Sequence, residues 1–384
     1  MREDWEYKTF GEIGSFLRGK NIQKADFVSG GLPCIHYGQI HTKFDISIDY
    51  HLSEIPQEVY DKAIIASPGD VIIAITSEDI DGSCKSVVWL GNYDIAVSAH
   101  AAILKHNMNG KFIAYYLRSN TFFTQKLKYT RGFKVMEIKT KDLAKLVLPI
   151  PPKPTQLSIV SELDKLNELI RIKKEQLKDY DSLAQSIFYE MFGDPVEEGW
   201  DVKELGDICK TSSGGTPSKA HTEYYNGEIM WLRSGEVSQG DIYNTEQTIT
   251  LLGLENSSAK IFPVNTVVIA MYGATVGQVG ILRKEMSTNQ AICGIFPNED
   301  LTPEYLYYFL ISKKAEFLKS AIGGAQANIS QQIIRKTLIP LPPLSLQSSF
   351  TCKIRQIKLQ KAAVQSTITD LETLLAARMQ YWFD

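Results

Sequence analysis

One pattern runs through this chain twice. The segment Leu148-Pro149-Ile150-Pro151-Pro152, with Gln156 after it, returns as Ile339-Pro340-Leu341-Pro342-Pro343 with Gln347, a displacement of 191 residues. Other landmarks keep nearly the same offset. Trp5, Gly11 and Ile13 answer to Trp200, Gly206 and Ile208; Tyr115-Tyr116-Leu117 answers to Tyr307-Tyr308-Phe309; Ile138 and Lys145 answer to Ile329 and Lys336. Drift of a few residues marks loop insertions between matched elements. An internal repeat of this length fixes the domain count before any residue is interpreted. At 384 residues, 44% hydrophobic and 22% charged, the chain has material for two ordinary domains, each able to bury its own core.

Within each copy the elements can be read coarsely. Ile64-Ile65-Ala66 and the run from Val71 to Ile75, split by the turn signal Ser67-Pro68-Gly69-Asp70, read as buried strands, as does Val267 to Met271 after Phe262-Pro263. Residues 112–127, and 303–318 in the second copy, carry aromatic and aliphatic side chains at helical spacing, which suits core helices.

Behind each Pro-Pro segment the character changes. From Gln156 to Phe192 there is no proline or glycine, and Leu163, Leu166, Ile170, Lys173, Leu177, Tyr180, Ala184, Ile187 and Met191 alternate spacings of three and four. That is a heptad seam. Displaced by 191 it becomes Ile354, Ile357, Lys361, Val364, Ile368, Leu371, Leu375, Arg378 and Trp382, apolar at seven of nine places. The proline segments read as hinges that stop a domain and start a helix. The expected fold is α+β: two pseudo-symmetric mixed α/β globular domains, 1–155 and 193–346, separated by two long antiparallel α-helices, 156–192 and 347–384, paired as a coiled coil. A duplicated unit packing on itself tends to do so symmetrically. Thirty-seven residues at about 1.5 Å each make a rod of roughly 55 Å. The same stripes also suit a dimerising coiled coil, and the two arrangements can coexist.

Several function classes find no support. Gly14-Ser-Phe-Leu-Arg-Gly19-Lys20-Asn21 lacks the final Ser or Thr of a phosphate-binding loop, and no strong strand precedes it. The six histidines form no HExxH or i,i+4 pair, and neither Asn-Pro-Pro-Tyr nor Gly-x-Ser-x-Gly occurs, so no active site and no metal site is legible. Five scattered cysteines, Cys34, Cys84, Cys209, Cys293 and Cys352, form no CxxC pair, which argues against a disulfide framework or a zinc site. No apolar run approaches the roughly 18 residues of a membrane span, and the charged start Met-Arg-Glu-Asp-Trp-Glu lacks a signal-peptide core. A reducing cytoplasm is the expected home.

The remaining polar side chains cluster in corresponding stretches. The first copy has Arg18, Lys20, His36, Tyr37, Gln39, Lys43, Thr76, Ser77, Glu78, His100, Arg131, Lys134, Lys139, Thr140 and Lys141. The second has Thr216, Ser218, Lys219, Arg233, Ser234, Glu236, Tyr272, Thr275, Asn289, Gln290, Gln326, Asn328, Ser330, Gln331, Gln332 and Arg335. These are the side chains that read bases and hold phosphates: Arg and Lys suit guanine, Asn and Gln suit adenine, Glu accepts from cytosine. The copies share hinge and helix pattern and differ at these positions, as two readers on one frame would.

Gly214-Gly-Thr-Pro-Ser218, Tyr224-Tyr225-Asn226-Gly227, Trp231-Leu-Arg-Ser-Gly-Glu236, Tyr272-Gly-Ala-Thr-Val-Gly-Gln-Val-Gly280, Thr288-Asn-Gln-Ala291 and Asn328-Ile-Ser330 form a recognisable series. Together with the Pro-Pro segment they resemble the specificity subunits of Type I restriction-modification systems, over the whole chain. The first copy departs somewhat, with Gly30-Gly-Leu-Pro-Cys-Ile-His-Tyr-Gly38 where the second has its Trp-Leu-Arg-Ser-Gly run. The resemblance implies a non-catalytic subunit of a host-defence restriction system, with two target recognition domains that each read half of a split site in double-stranded DNA. It implies helices that set the gap and dock two modification (methyltransferase) subunits, motor-nuclease restriction subunits in the full complex, and S-adenosylmethionine, ATP and magnesium bound by those partners. One observation pulls the other way. The net charge is −3, and the second domain holds 12 basic against 17 acidic residues where the first holds 19 against 17. A chain so short of positive charge is expected to bind DNA weakly by itself and to draw phosphate contacts from its partners.

Overall fold

The computed structural model describes residues 5–193, 199–320 and 328–384. Two compact units emerge, one from residues 1–174 with 366–384, the other from 175–365. Each holds one sheet-containing domain together with part of both long helices. The boundary therefore falls within the helices rather than at their ends, because each domain packs on the helix segments nearest to it.

In the first unit a five-stranded sheet runs in the order Gly14–Arg18, Ala101–His106, Val71–Ala74, Ser86–Trp89, Ser47–Ile48. A four-stranded sheet runs Ser53–Ile55, Leu32–Ile35, Ile95–Val97, Ile64–Ala66. The second unit repeats both orders, with Thr211–Ser213, Ile292–Ile295, Val267–Ala270, Val279–Leu282, Gly240–Ile242 and with Gln247–Ile249, Tyr225–Leu232, Met286–Thr288, Ile261–Phe262. In each unit a two-stranded ribbon joins the domain's start to its end: Glu6–Thr9 with Val147–Ile150, Val202–Glu204 with Leu338–Pro340.

The central strand of each five-stranded sheet is wholly apolar because both of its faces are covered. Val71 and Ile73 belong to the core beneath the helices, Ile72 and Ala74 to the core between the sheets. Val267 and Ile269, Val268 and Ala270 divide in the same way. The alternation follows from the two-residue period of a strand.

Backbone bonds align the copies residue by residue. Ile138 N–H donates to Ile75 O at 3.0 Å, as Ile329 N–H does to Met271 O at 2.9 Å. Gly69, at φ +96°, donates to Trp89 O, and Asn265, at φ +68°, donates to Leu282 O. Both occupy the left-handed region that Gly and Asn tolerate best. The helix caps correct one match made from sequence: Asn109 and Thr302 cap Phe112 and Tyr305, so the copies register one residue away from the pairing of 115–117 with 307–309. The stretch 112–127 is also two helices, Gly110–Tyr116 and Asn120–Leu127, because Ser119 restarts the helix by accepting from Phe122 N–H.

The long helices are Lys153–Phe192 and Leu344–Phe383, of 40 residues each, about 60 Å at the α-helical rise. Each begins one turn before Gln156 or Gln347, with a proline (Pro154) in the first turn of the first helix, where a missing N–H costs little. All nine heptad positions of each helix are buried or half-buried. In the first unit Glu162 meets Arg378 and Lys174 meets Glu372; in the second, Asp181 meets Lys361 while Phe188 and Phe192 meet Phe350. Advancing along one helix means retreating along the other, so the segments are antiparallel within each unit. The polar residues in the second stripe, Lys361 and Arg378, are thus the ones that hold carboxylates across the seam.

Candidate nucleic-acid interface

The polar stretches of the first unit converge where the Leu32–Ile35 strand ends. His36 caps the Tyr37–Thr42 helix, its Nδ1 accepting from Gly38 N–H at 3.2 Å, while Gln39 Oε1 accepts from His36 N–H at 2.9 Å. Gln39 Nε2 donates to Ser53 Oγ at 2.8 Å. These two side chains build the loop. Burial, then the nearby Lys24 and His100 charges, hold the His36 pKa below 6.5, so near neutral pH the ring is an uncharged cap.

Next to this cap lies a cleft of about 590 Å³ whose lining includes Tyr37, His41, Thr76, Ser77, Lys85 and His100, with Glu78, Asp79 and Val135. The Tyr37 ring sits 4.8 Å from His100 and 4.6 Å from His36. His41 Nε2 lies 3.0 Å from Thr76 O, and Lys85 Nζ donates to His41 O at 2.8 Å. Thr76–Ser77 pairs with Met136–Glu137, closing a hairpin from Arg131 to Glu137 whose tip is Phe133, 93% exposed, with Lys134 beside it. Arg18 reaches this hairpin through Glu137 at 3.2 Å, and Lys20 bridges to Ser98. The structure thus gathers Tyr37, Thr76, Ser77 and His100, and borders them with Arg18, Lys20, Arg131 and Lys134. Lys43 follows the Tyr37–Thr42 helix and Lys139 precedes the Thr140–Leu143 helix, both exposed and neither lining the cleft. His41 and Lys85 were not singled out from sequence; His41 lies one turn along the helix from Tyr37, a spacing that could have found it.

The second unit repeats the frame with other side chains. Arg233 follows Leu232 as His36 follows Ile35, and Glu236 takes the part of Gln39, accepting from Arg233 N–H at 3.0 Å. Its other oxygen accepts from Glu246 N–H at 2.8 Å, and Glu236 is 5% exposed, so this carboxylate holds the loop. The accompanying cleft, about 520 Å³, gathers Thr216, Lys219, Arg233, Asn289 and Gln290. Thr216 Oγ1 donates to Gln290 Oε1, and Ser218 and Ser234 each lie one residue from the lining, beside Lys219 and Arg233. Tyr225, Asn226, Trp231, Gln247 and Thr248 complete the wall. Of these, Gln247 and Thr248 lie on a strand that the sequence reading did not resolve.

A second group forms around the bridge between Tyr272 and Asn328, the counterpart of the Thr76–Ser77 ribbon. Tyr272 is 44% exposed, and Thr275 Oγ1 donates to its carbonyl at 3.3 Å. Ser330 caps the Gln331–Arg335 helix, and Arg335 donates to Gly206 O at 3.4 Å, on the side of the domain that carries the Leu205–Ile208 helix. Gln326 lies outside the described residues.

The family described as "Type I restriction modification DNA specificity domain" matches this chain twice, over residues 2–179 and 197–354. The chain belongs to this family. Each match runs through one sheet-containing domain and into the first part of the long helix behind it, ending at residue 179 of the first helix and 354 of the second. The chain is 31% identical to the Type I restriction enzyme MjaIX specificity subunit of Methanocaldococcus jannaschii over 38% of its own length and 35% of that protein. It is 25% identical to the putative MjaX specificity subunit of the same organism over 92% of this chain and 87% of that one. The first of the curated relatives are matched over only about a third to a half of their length. Among solved structures, one described as showing complex assembly and conformational transition of the type I R-M system aligns at TM-score 0.64 and 20% identity, over 100% of this chain and 98% of that one. A Type I restriction-modification S subunit from M. genitalium aligns at TM-score 0.54 and 13% identity, over 99% and 96%. At such identities the likeness is one of fold. Among the described residues of this family member, no helix is long and apolar enough to cross a membrane.

Proposed function

We propose that this chain is the non-catalytic sequence reader of a Type I restriction-modification complex, each unit reading one half of a bipartite site in double-stranded DNA. One observation carries the reading. The two copies share sheet order, turns and caps, yet at the same strand end they present different polar side chains beside an open cleft: His36, Tyr37 and His100 in one, Arg233, Asn289 and Gln290 in the other. Fold conserved and lining exchanged is what two readers of different base sequences require.

The long helices are the spacer in this proposal, a coiled coil that sets the number of unread base pairs between half-sites, and they dock two modification subunits. Those partners carry S-adenosylmethionine and do the methyl transfer; motor-nuclease subunits use ATP and magnesium. The second domain's excess of five acidic residues makes its own hold on phosphate weak, so the partners supply much of the phosphate contact, and the complex works in the cytoplasm against foreign DNA. Methylation mapping in cells that carry this chain and its modification subunit tests the reading. A bipartite motif is expected that disappears when the chain is deleted, and exchanging one domain should change one half of it. A continuous motif, or one that survives deletion, would overturn the proposal.

A further inference from the structure

We infer that Arg233 reads a guanine in the half-site of the second unit, and that Glu246 occupies its guanidinium until DNA arrives. The inference rests on the DNA-reading function proposed above and adds a base and a residue to it.

Arg233 follows a strand, Tyr225–Leu232, whose last two residues, Trp231 and Leu232, are buried, and its own N–H is fixed on Glu236. Its backbone is therefore held, while its side chain lines the cleft together with Trp231, Asn289 and Gln290. The guanidinium is incompletely satisfied. Nη2 pairs with Glu246, but Nε is buried without a hydrogen-bond partner among the described residues, 3.8 Å from Glu236 Oε2 and so beyond reach of it. Both oxygens of Glu236 are committed to backbone N–H groups and cannot turn to serve it. Glu246 is 66% exposed, and an ion pair so open to water holds its partner weakly.

A rigid fork of donors with one weak, displaceable acceptor is suited to a planar ligand offering two acceptors side by side. The O6 and N7 atoms of guanine do so in the major groove, and Arg is their commonest protein partner. A phosphate oxygen is the alternative target. It fits less well, because Lys219 is the more exposed cation of this cleft, whereas Arg233 is half-buried and has its Nε shielded from solvent. Bringing a phosphodiester backbone past Glu246 also repels that carboxylate and releases the fork. The first unit has the buried His36 at this point, a ring that offers no such fork.

The test is Arg233→Gln and Arg233→Lys in the full chain, expressed with its modification subunit, with the methylated motif mapped in the genome. Arg233→Gln should relax or change one guanine position of a single half-site by about ten- to a hundredfold in preference, leaving the other half-site intact as an internal check on folding. Arg233→Lys should restore that position only in part. Uniformly weaker methylation with the motif unaltered would make Arg233 a phosphate contact and overturn the inference. An unchanged motif would overturn it as well. The absence of any bipartite motif dependent on the unaltered chain would instead remove the DNA-reading function beneath it. Glu246→Gln should tighten binding of cognate duplex by roughly two- to fivefold at low salt; weaker binding would show that Glu246 is no latch.

Discussion

The two copies solve one structural problem with different side chains, and the differences come in matched sets. Trp89 in the first domain fills the place that Leu282 fills in the second; both accept at their carbonyl from the turn residue, Gly69 or Asn265. The larger ring brings two companions. Its Nε1 donates to Tyr93 O at 2.7 Å, and Gly91 lies so close that a Cβ there would fall 2.2 Å from the indole. Two residues beyond Leu282, where the first copy has Gly91, the chain carries Lys284. The core between the sheets has thus diverged as a unit while the backbone around it has stayed fixed, as close packing demands.

The largest expected effect follows from that set. Trp89→Ala removes a fully buried indole and leaves Tyr93 O without its donor, and should cost about 3–5 kcal/mol in a urea titration of the chain. A cost within about 0.5 kcal/mol, the range of surface changes, would break the comparison by showing that Trp89 does not pack as Leu282 does.

A second contrast concerns how each domain closes the strand crossing behind its cleft. In the second copy Gly277, at φ +75°, donates to Ala270 O; in the first Cys84 does the same for Ala74 O at φ +67°, at the end of a longer loop. That longer loop has a clamp. Lys126, 3% exposed, donates to Asp81 O at 3.1 Å and Ser83 O at 2.5 Å, and burial draws its pKa below the ordinary lysine value. Lys126→Met keeps the stem and removes the donors, orphaning two carbonyls at an expected cost of about 1–3 kcal/mol. Because the clamped loop runs on from Thr76 and Ser77, the same variant should blur the half-site read by the first domain and spare the other. Loss of stability with both halves of the motif still sharp would make the clamp purely structural.

Legibility from sequence follows the same division. The hinges and heptad stripes repeat chemistry that needs no partner to be recognised: proline stops a strand, and spacings of three and four place Leu163, Ile170, Ile354 and Ile368 on one face. The buried strands could be read because Val71 to Ala74 and Val267 to Ala270 are apolar throughout. The clefts were legible only by residue type. Nothing local in the sequence shows that Gln39 turns back to its own helix cap, or that Glu236 spends both oxygens on backbone, since Ser53 and Glu246 lie 14 and 10 residues away. Arg335 shows the same limit: it ends the short Gln331–Arg335 helix, while its guanidinium turns to Gly206, 129 residues away. Long-range pairing decides which polar side chains build a loop and which face a ligand.

The smallest effects separate the two ion pairs of the helix seam. Glu162 receives the Arg378 guanidinium on both oxygens and the Trp382 indole N–H at 3.0 Å, with both charged partners 32% exposed. Lys361 meets Asp181 singly, and Asp181 is 68% exposed. Solvent screens the second pair more, and a bidentate pair loses less entropy for each bond made, so Glu162→Gln should cost about 1 kcal/mol at pH 7 and Asp181→Asn less than about 0.5. The hydrogen bonds from Arg378 hold the Glu162 pKa below 4.5, so this stabilisation is complete above pH 4.5 and is lost as the pH falls through the folded-state value. Wild type and Glu162→Gln should therefore converge in stability as acid is added. If they stay parallel below pH 4, the cost of the substitution is one of packing against Trp382, and the charge at the seam does no more at Glu162 than at Asp181.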